Sequence, residues 1–314
     1  MWKWVLIGVA GLGIVLIRRR MAGGKCRSKA SMINKTVIIT GANCGIGRAT
    51  AFELARRHSR VILACRDVEV GLKVAQEITQ KHEGSSVIVK KLDLASFSSI
   101  RSFAADINST ESRVDVLINN AGVYHCPFLL TEDGLETQMG VNHFGHFLLT
   151  NLLLNKLKSS APSRIVIVSS GLGAFGSIDL ENINSEKSYD KSRTYNNSKL
   201  ANNLFARELS RRLENTGVSV YCLRPGMVRS KLGRHVEPSW IMKIIFWPIS
   251  WLLVKSCYEG CQTVVYCSVD SQIEGVNGKF YADCHEEPWN EASNDLNLAQ
   301  KLWLKSEKLT KLYN

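Results

Sequence analysis

One stretch near the amino terminus restricts the fold more than any other. Residues 35–40, Lys-Thr-Val-Ile-Ile-Thr, read as a short buried strand. A turn follows at once, Gly41-Ala42-Asn43-Cys44-Gly45-Ile46-Gly47, and residues 48–58 then carry helical periodicity through Ala51, Phe52, Leu54 and Ala55. Strand, glycine-rich turn and helix in that order are the context a dinucleotide site requires. Glycines let the backbone approach a pyrophosphate, and the helix N-terminus offers N–H groups and positive dipole. The spacing is G-x-x-x-G-x-G rather than G-x-G-x-x-G, and a glycine turn without a ligand is the competing reading.

Strand and helix signals alternate from residue 35 to about 283, and a helix over 294–312 closes the chain. That alternation predicts a single doubly wound, Rossmann-type α/β domain with a parallel sheet. The chain has 314 residues, enough for one substantial core, and shows no internal repeat or low-complexity tract. The organisation read from it is an amino-terminal membrane-anchor helix over 1–20, a linker over 21–32 and a catalytic domain over 33–314.

Farther along stands Tyr195-Asn196-Asn197-Ser198-Lys199, just before the apolar pattern Leu200, Ala201, Leu204 and Phe205. Four residues apart on a helix, the phenol and the ammonium share one face. A free tyrosine titrates near about 10. A neighbouring lysine charge favours the phenolate and is expected to lower that value toward neutral pH. Alone, a Tyr and a Lys at this spacing occur by chance on many surface helices.

Together with the glycine turn, this motif makes the chain resemble the short-chain dehydrogenase/reductase family. The other family marks come in order: Asn119-Asn120-Ala121-Gly122 after a strand over 114–118, Asn142 after Met139-Gly140-Val141, Ser169-Ser170 after a strand over 165–168, and Pro225-Gly226 after a strand over 218–223. The resemblance covers roughly residues 33 to 285. A narrower likeness is to the retinol dehydrogenase branch. It rests on Leu63-Ala64-Cys65-Arg66-Asp67, on Val141-Asn142-His143-Phe144-Gly145-His146-Phe147, on Ser160-Ala161-Pro162-Ser163-Arg164, on Asp283-Cys284, and on the 25 residues from Ser170 to Tyr195, which hold an inserted segment over 177–193. The branch pattern Y-C-x-S-K is here Tyr-Asn-Asn-Ser-Lys, and residues 171–176 lack the branch's histidine.

The resemblance implies a membrane-attached enzyme that moves a hydride between NADP(H) and a carbonyl or alcohol carbon. It assigns Tyr195 as proton donor, Ser170 as hydrogen-bond partner of the substrate oxygen, Lys199 as modifier of Tyr195 and holder of the nicotinamide ribose, and Asn142 as support for a water linking Lys199 to solvent. Ser169 has the same chemistry, but the resemblance places the second serine in the role. Cofactor contacts are expected from Gly41, Asn43, Cys44, Gly45, Ile46, Gly47, Arg66, Asp93, Asn119, Ala121, Gly122, Tyr195, Lys199, Pro225 and Gly226, with Val141 behind them. By the same comparison, Cys65 stands where NAD-binding relatives carry an acid. Neutral there, it leaves Arg66 to pair with a 2′-phosphate, so NADP(H) is expected over NAD(H). A plain polar turn at Arg66-Asp67, with Asp67 starting the next helix, is the alternative.

Net charge is +12, and the first 52 residues hold no acid. No basic stripe with interleaved aromatics argues for nucleic acid; a membrane surface suits the charge better. Nine scattered cysteines, without a C-x-x-C pair, fit a reducing compartment and no zinc pattern. His143 and His146 read as helix-packing or surface residues rather than metal ligands, and no metal is expected.

Residues 2–17 are apolar except for Lys3, and Arg18-Arg19-Arg20 follows. As a helix they reach roughly 24 Å, against a bilayer core of about 30 Å. The charge lies after the apolar run, which suits an uncleaved anchor with its body on the cytosolic side, at the endoplasmic reticulum; a mitochondrial membrane is the alternative. Residues 227–256 include Trp240, Phe246, Trp247, Pro248 and Trp251 and read either as helices packed on the core or as a hydrophobic lid leaning on the membrane. Its apolar walls suit a large lipophilic alcohol or aldehyde, retinoid-like by resemblance. A hydroxysteroid or lipid-aldehyde reductase is the alternative within enzymes. A non-catalytic NADP-binding membrane protein is the alternative outside them, and a homodimer is compatible with either.

Overall fold

The structure, a computed structural model, describes residues 13, 15–233 and 250–313. Eight strands form one sheet: β1 (Thr36–Thr40), β2 (Arg60–Cys65), β3 (Ser86–Lys91), β4 (Val116–Asn119), β5 (Ser163–Val168), β6 (Val218–Arg224), β7 (Lys279–Ala282) and β8 (His285–Glu287). Their spatial order is β3-β2-β1-β4-β5-β6-β7-β8, parallel throughout except for β8 against β7. The strand order reverses between β1 and β4. In open α/β sheets, the crevice beyond the strand ends at such a reversal is where ligands bind.

Side-chain alternation divides the core in two. In β1, Ile38 packs into one layer, with Phe147, Leu204 and Trp303, while Val37 and Ile39 pack into the other, with Leu54, Val74 and Val264. The first layer is closed by α3 (Phe97–Thr110), α4 (Gly145–Ser159), α5 (Lys191–Arg212) and α7 (Leu296–Thr310); the second by α1 (Gly45–Ala55), α2 (Val68–Lys81) and α6 (Cys257–Val269). With both faces covered, β1, β4 and β5 read as continuous apolar runs and not as alternating ones.

Three features depart from the sequence reading. Gly140–Phe144 is a π-helical turn that leads into α4, which a 3.6-residue period does not announce. Asp283 and Cys284 both take positive φ, 50° and 62°, and turn β7 back into β8, as two-residue hairpin loops require. The stretch expected to be a linker is packed instead. Cys26 and Met32 are buried, and the Cys26 N–H donates to Gln262 Oε1 at 3.2 Å.

The expected anchor lies mainly outside the described residues. Residues 15–22 are helical, with Val15, Leu16 and Ile17 exposed and Arg18 paired to Glu259 at 2.6 Å. Among the described residues no helix is long and apolar enough to cross a membrane. Of the expected lid, residues 234–249 lie outside the described residues. Its ends are described and joined: Lys255 N donates to Met227 O at 2.8 Å, and Arg229 N to Lys255 O at 2.9 Å.

The sheet's amino-terminal side holds a buried carboxylate, Asp115, which accepts from Thr36 N at 2.9 Å and Arg113 Nε at 2.8 Å and faces Lys35 Nζ at 3.0 Å. Burial works against its charge, but the hydrogen bonds from Arg113, Thr36 and Lys35 win and hold it below the usual carboxylate value. A depressed folded value stabilises above the unfolded one, about 3.9, and that contribution is lost as pH falls through the folded value. Thermal melting should therefore fall off below about pH 4. Asp115→Asn should lower stability by about 2 kcal/mol at neutral pH and flatten that acid limb; an unchanged limb would remove Asp115 from the account.

Candidate active site

The carboxyl ends of β1, β2, β4, β5 and β6 open onto a cleft of about 440 Å³. On one side it is walled by the glycine turn. Gly41 and Gly45 take φ of +65° and +57°, and a Cβ on Gly41 would meet Ala121 Cα at 3.0 Å. Helix α1 begins at that wall with Cys44 as N-cap; no side chain caps it and no acid stands in its first turn. Its leading N–H groups are thus left for an anion, as a pyrophosphate site requires. The residues present fit a dinucleotide.

Most of the expected cofactor residues line this cleft: Gly41, Asn43, Cys44, Gly45, Ile46, Arg66, Asp93, Ala121, Gly122, Tyr195, Lys199, Pro225 and Gly226, together with Val141. Cys65 lines it too, buried, with its thiol pushed up to about 11 by desolvation and so neutral. Arg66 is exposed at the lip, and Asp67 caps α2 by accepting from Val70 N at 3.0 Å.

Three expected residues do not line the cleft. Asn119 turns into the sheet–helix layer, where its Nδ2 donates to Thr150 Oγ1 at 2.8 Å. Its neighbour Asn120 faces the cleft instead, with Nδ2 donating to Thr40 O at 2.8 Å. Gly47 packs helix on strand: a Cβ there would lie 2.4 Å from Gly41 O. Asn142 stands behind the wall. Its Oδ1 accepts Val123 N at 2.8 Å, and its Nδ2 donates to Val123 O and Ser198 Oγ, each at 3.0 Å.

Ser170, Tyr195 and Lys199 meet at the cleft floor. Ser170 lies just beyond β5 and opens a 3-10 turn (Gly171–Phe175), where its Oγ accepts Leu172 N at 3.2 Å. Ser169 is committed elsewhere, donating to Lys199 O at 3.0 Å. Lys199 Nζ donates to Val168 O at 3.1 Å and lies 5.7 Å from the Tyr195 ring centroid. The electrostatics differ from the sequence expectation. Desolvation raises Tyr195 to about 12, with the Ser170 hydroxyl working the other way. Desolvation likewise lowers Lys199 to about 8. In the same dry floor, burial dominates both groups, so the phenol stays protonated and the ammonium is weakened.

Sequence reasoning missed several supports. Tyr124 packs edge-on against Tyr195, ring centroids 4.6 Å apart. Thr40 Oγ1 accepts the N–H groups of Asn120 and Ala121, each at 2.9 Å. The inserted segment is strapped in place by Tyr189, whose hydroxyl donates to Cys126 O at 2.7 Å, and by Asn184, whose Oδ1 accepts Glu136 N at 2.6 Å. Within the Tyr–Lys motif, Asn197 Oδ1 accepts Ser177 N at 2.8 Å, holding the start of that segment.

A parallel sheet with its glycine cradle at the reversal point, and a Ser, Tyr and Lys at the cleft floor, define a dinucleotide-binding oxidoreductase. The short chain dehydrogenase family pattern matches residues 35–239, and the chain belongs to that family. It is 48% identical to retinol dehydrogenase 14 of Mus musculus, over 96% of this chain and 95% of that one. It is 47% identical to retinol dehydrogenase 13 of Homo sapiens, over 98% and 93%. Among solved structures, an uncharacterized protein from Mycobacterium paratuberculosis matches with a TM-score of 0.73 and 35% identity, covering 92% of this chain and 98% of that one. An alcohol dehydrogenase from Thermococcus sibiricus, solved with 5-hydroxy-NADP, matches with a TM-score of 0.56 and 25% identity, over 74% and 88%.

If Lys199 loses its proton near pH 8 in the free enzyme, kcat/KM for the reduced cofactor should fall as pH rises through that value, because that parameter reports free-enzyme groups. In Lys199→Arg, whose guanidinium does not titrate there, the limb should move to higher pH; an identical limb in both enzymes would assign it to another group.

Proposed function

We propose that this chain is an NADP(H)-dependent oxidoreductase that interconverts a lipophilic alcohol and its aldehyde, with retinol and retinal as the substrate pair. The observation that carries the reading is near-half identity to retinol dehydrogenases along almost the whole chain, in a molecule whose Ser170, Tyr195 and Lys199 share one cleft. Bound in that cleft, the dinucleotide supplies or accepts the hydride. Neutral Cys65 and exposed Arg66 at the lip suit a 2′-phosphate.

In the reducing direction Tyr195 gives its phenolic proton to the forming alkoxide oxygen, and Ser170 Oγ donates a hydrogen bond to the same oxygen. A tyrosine held protonated by burial is ready for that step at neutral pH. The reverse reaction needs the phenolate, which the same burial disfavours. Lys199 completes the floor as the nearby cation, and the Asn142 amide fixes Val123 and Ser198 around it.

A spectrophotometric panel with retinal, a steroid ketone and a medium-chain aldehyde, run with NADPH and with NADH, tests the reading. Retinal with NADPH should be the best pair. Tyr195→Phe should abolish turnover while still binding NADPH, and Arg66→Ala should weaken NADPH far more than NADH. Turnover retained in Tyr195→Phe would refute the chemistry, and equal losses in Arg66→Ala would remove that residue from cofactor choice.

The amino-terminal residues 1–20 serve in this reading as a membrane anchor, with the catalytic domain on the cytosolic side. Support comes from the apolar run before Arg18-Arg19-Arg20 and from exposed Val15, Leu16, Ile17 and Trp251. The full-length protein should stay in the membrane pellet after carbonate extraction; release into the supernatant would sink the anchor.

A further inference from the structure

His146 has no part in the chemistry above, yet it is buried and doubly bonded at the centre of the site's supports. Its Nδ1 lies 3.0 Å from the main-chain oxygen of Asn142, and its Nε2 lies 2.9 Å from Thr40 Oγ1. The partners settle the protons. A carbonyl only accepts, so Nδ1 donates to Asn142 O. Burial lowers the imidazole to about 4, with the Lys199 charge acting in the same direction, so the ring is neutral and Nε2 accepts. The Thr40 oxygen already accepts two backbone N–H groups, so its hydroxyl proton points to His146 Nε2 at 2.9 Å, with the Ile118 carbonyl at 3.3 Å as the more distant acceptor.

The chain of contacts continues from Asn142 in both directions. The Asn142 side chain clamps Val123 on the loop after β4 and Ser198 on α5, beside Lys199. A Cβ on Gly122 would stand 3.3 Å from Asn142 Oδ1 and 3.8 Å from Lys199 Nζ, so these groups crowd one point. Asn142 also lies within the π-helical turn, where helical hydrogen bonding is irregular. An extra bond to its carbonyl from one turn onward holds that irregular backbone in place.

We infer that His146 is a positioning residue for the reaction: its imidazole braces the Asn142 carbonyl against β1 and so sets the Asn142 side chain on Val123 and Ser198, next to Lys199. The arrangement is not a proton path. It ends at Thr40, which is fully buried and whose oxygen is saturated by the Asn120 and Ala121 N–H groups, so no proton passes from it to solvent. The inference deepens the proposed function and rests on it for its kinetic arm.

Two amide substitutions separate the two ends of the ring. The nitrogen of an asparagine side chain superimposes on Nδ1, and that of a glutamine on Nε2. His146→Leu should lower kcat by about tenfold or more, as small misplacements near reacting groups do, with the NADPH dissociation constant unchanged. His146→Asn should recover most of the loss and His146→Gln should not. An unaltered kcat in His146→Leu, equal recovery by Asn and Gln, or a loss that follows NADPH affinity would each overturn the inference.

A second measurement is independent of turnover. The Val123 amide, held by Asn142 Oδ1, should exchange with solvent faster in His146→Leu and return toward the wild-type rate in His146→Asn. If the wild-type enzyme reduces none of the carbonyls, the functional reading falls and this exchange rate alone decides His146. Faster exchange in His146→Leu sustains the positioning role, and unchanged exchange ends it.

Discussion

The Thr40 hydroxyl is the junction on which the site's geometry depends. It sits at the carboxyl end of β1, fully buried, with one proton and two lone pairs to place. The lone pairs accept Asn120 N and Ala121 N, which fixes the loop after β4 against β1 at the point where strand order reverses. Asn120 Nδ2 adds a bond to Thr40 O. A parallel sheet holds strands together but leaves the turns beyond them free to vary. Here one hydroxyl makes two of those turns a single wall, and the glycine cradle lies within it: Gly41, the next residue, has room only for hydrogen against Ala121. An apolar residue of the same shape at position 40 would take this acceptor from Ala121 N and leave Asn120 N only its 3.0 Å bond to Ile118 O.

Burial is the second organising fact, and it acts on the reacting groups with opposite signs. The same desolvation that raises Tyr195 lowers Lys199. Both are driven toward their neutral forms, so the protein alone holds a proton donor and a weakened cation. The floor is therefore set for donating a proton to an oxygen that gains charge, which is the demand of carbonyl reduction. Tyr124, edge-on against Tyr195, adds to this dryness.

Much of this was legible in the sequence, for reasons that differ by element. The strand–turn–helix at residues 35–58 was legible because glycine and buried β-branched runs carry local signals. Ser170, Tyr195 and Lys199 could be named because a strand end and a four-residue helical spacing fix direction. Which of Asn119 and Asn120 lines the cleft is not legible, because residues next to each other at a strand end point to opposite faces, and two successive asparagines give no sign of which is inward. Nor does a turn glycine show in advance that its missing side chain makes room for helix–strand contact, as it does at Gly47. The tyrosine's acidity was misjudged because spacing gives proximity, whereas the shift depends on water exclusion, which only the assembled layers supply. Nothing in the sequence period marks the π-helical turn at Asn142, and the linker's packing depends on distant residues such as Gln262, 236 positions from Cys26.

The chain after β6 is tied to this frame beside the cleft. Gly226, with φ of +82°, ends the cleft wall and packs on Lys255, since a Cβ there would lie 3.1 Å from Lys255 Nζ. That ammonium also pairs with Asp283 in the β7–β8 turn and donates to Pro225 O at 3.4 Å. Val228 and Lys255 bridge in parallel fashion. The described ends on either side of residues 234–249 are therefore held together beside the cofactor wall. Lys255 thus ties Pro225 and Gly226 of the cofactor wall to the β7–β8 turn, which holds the wall in the position that hydride and proton transfer require.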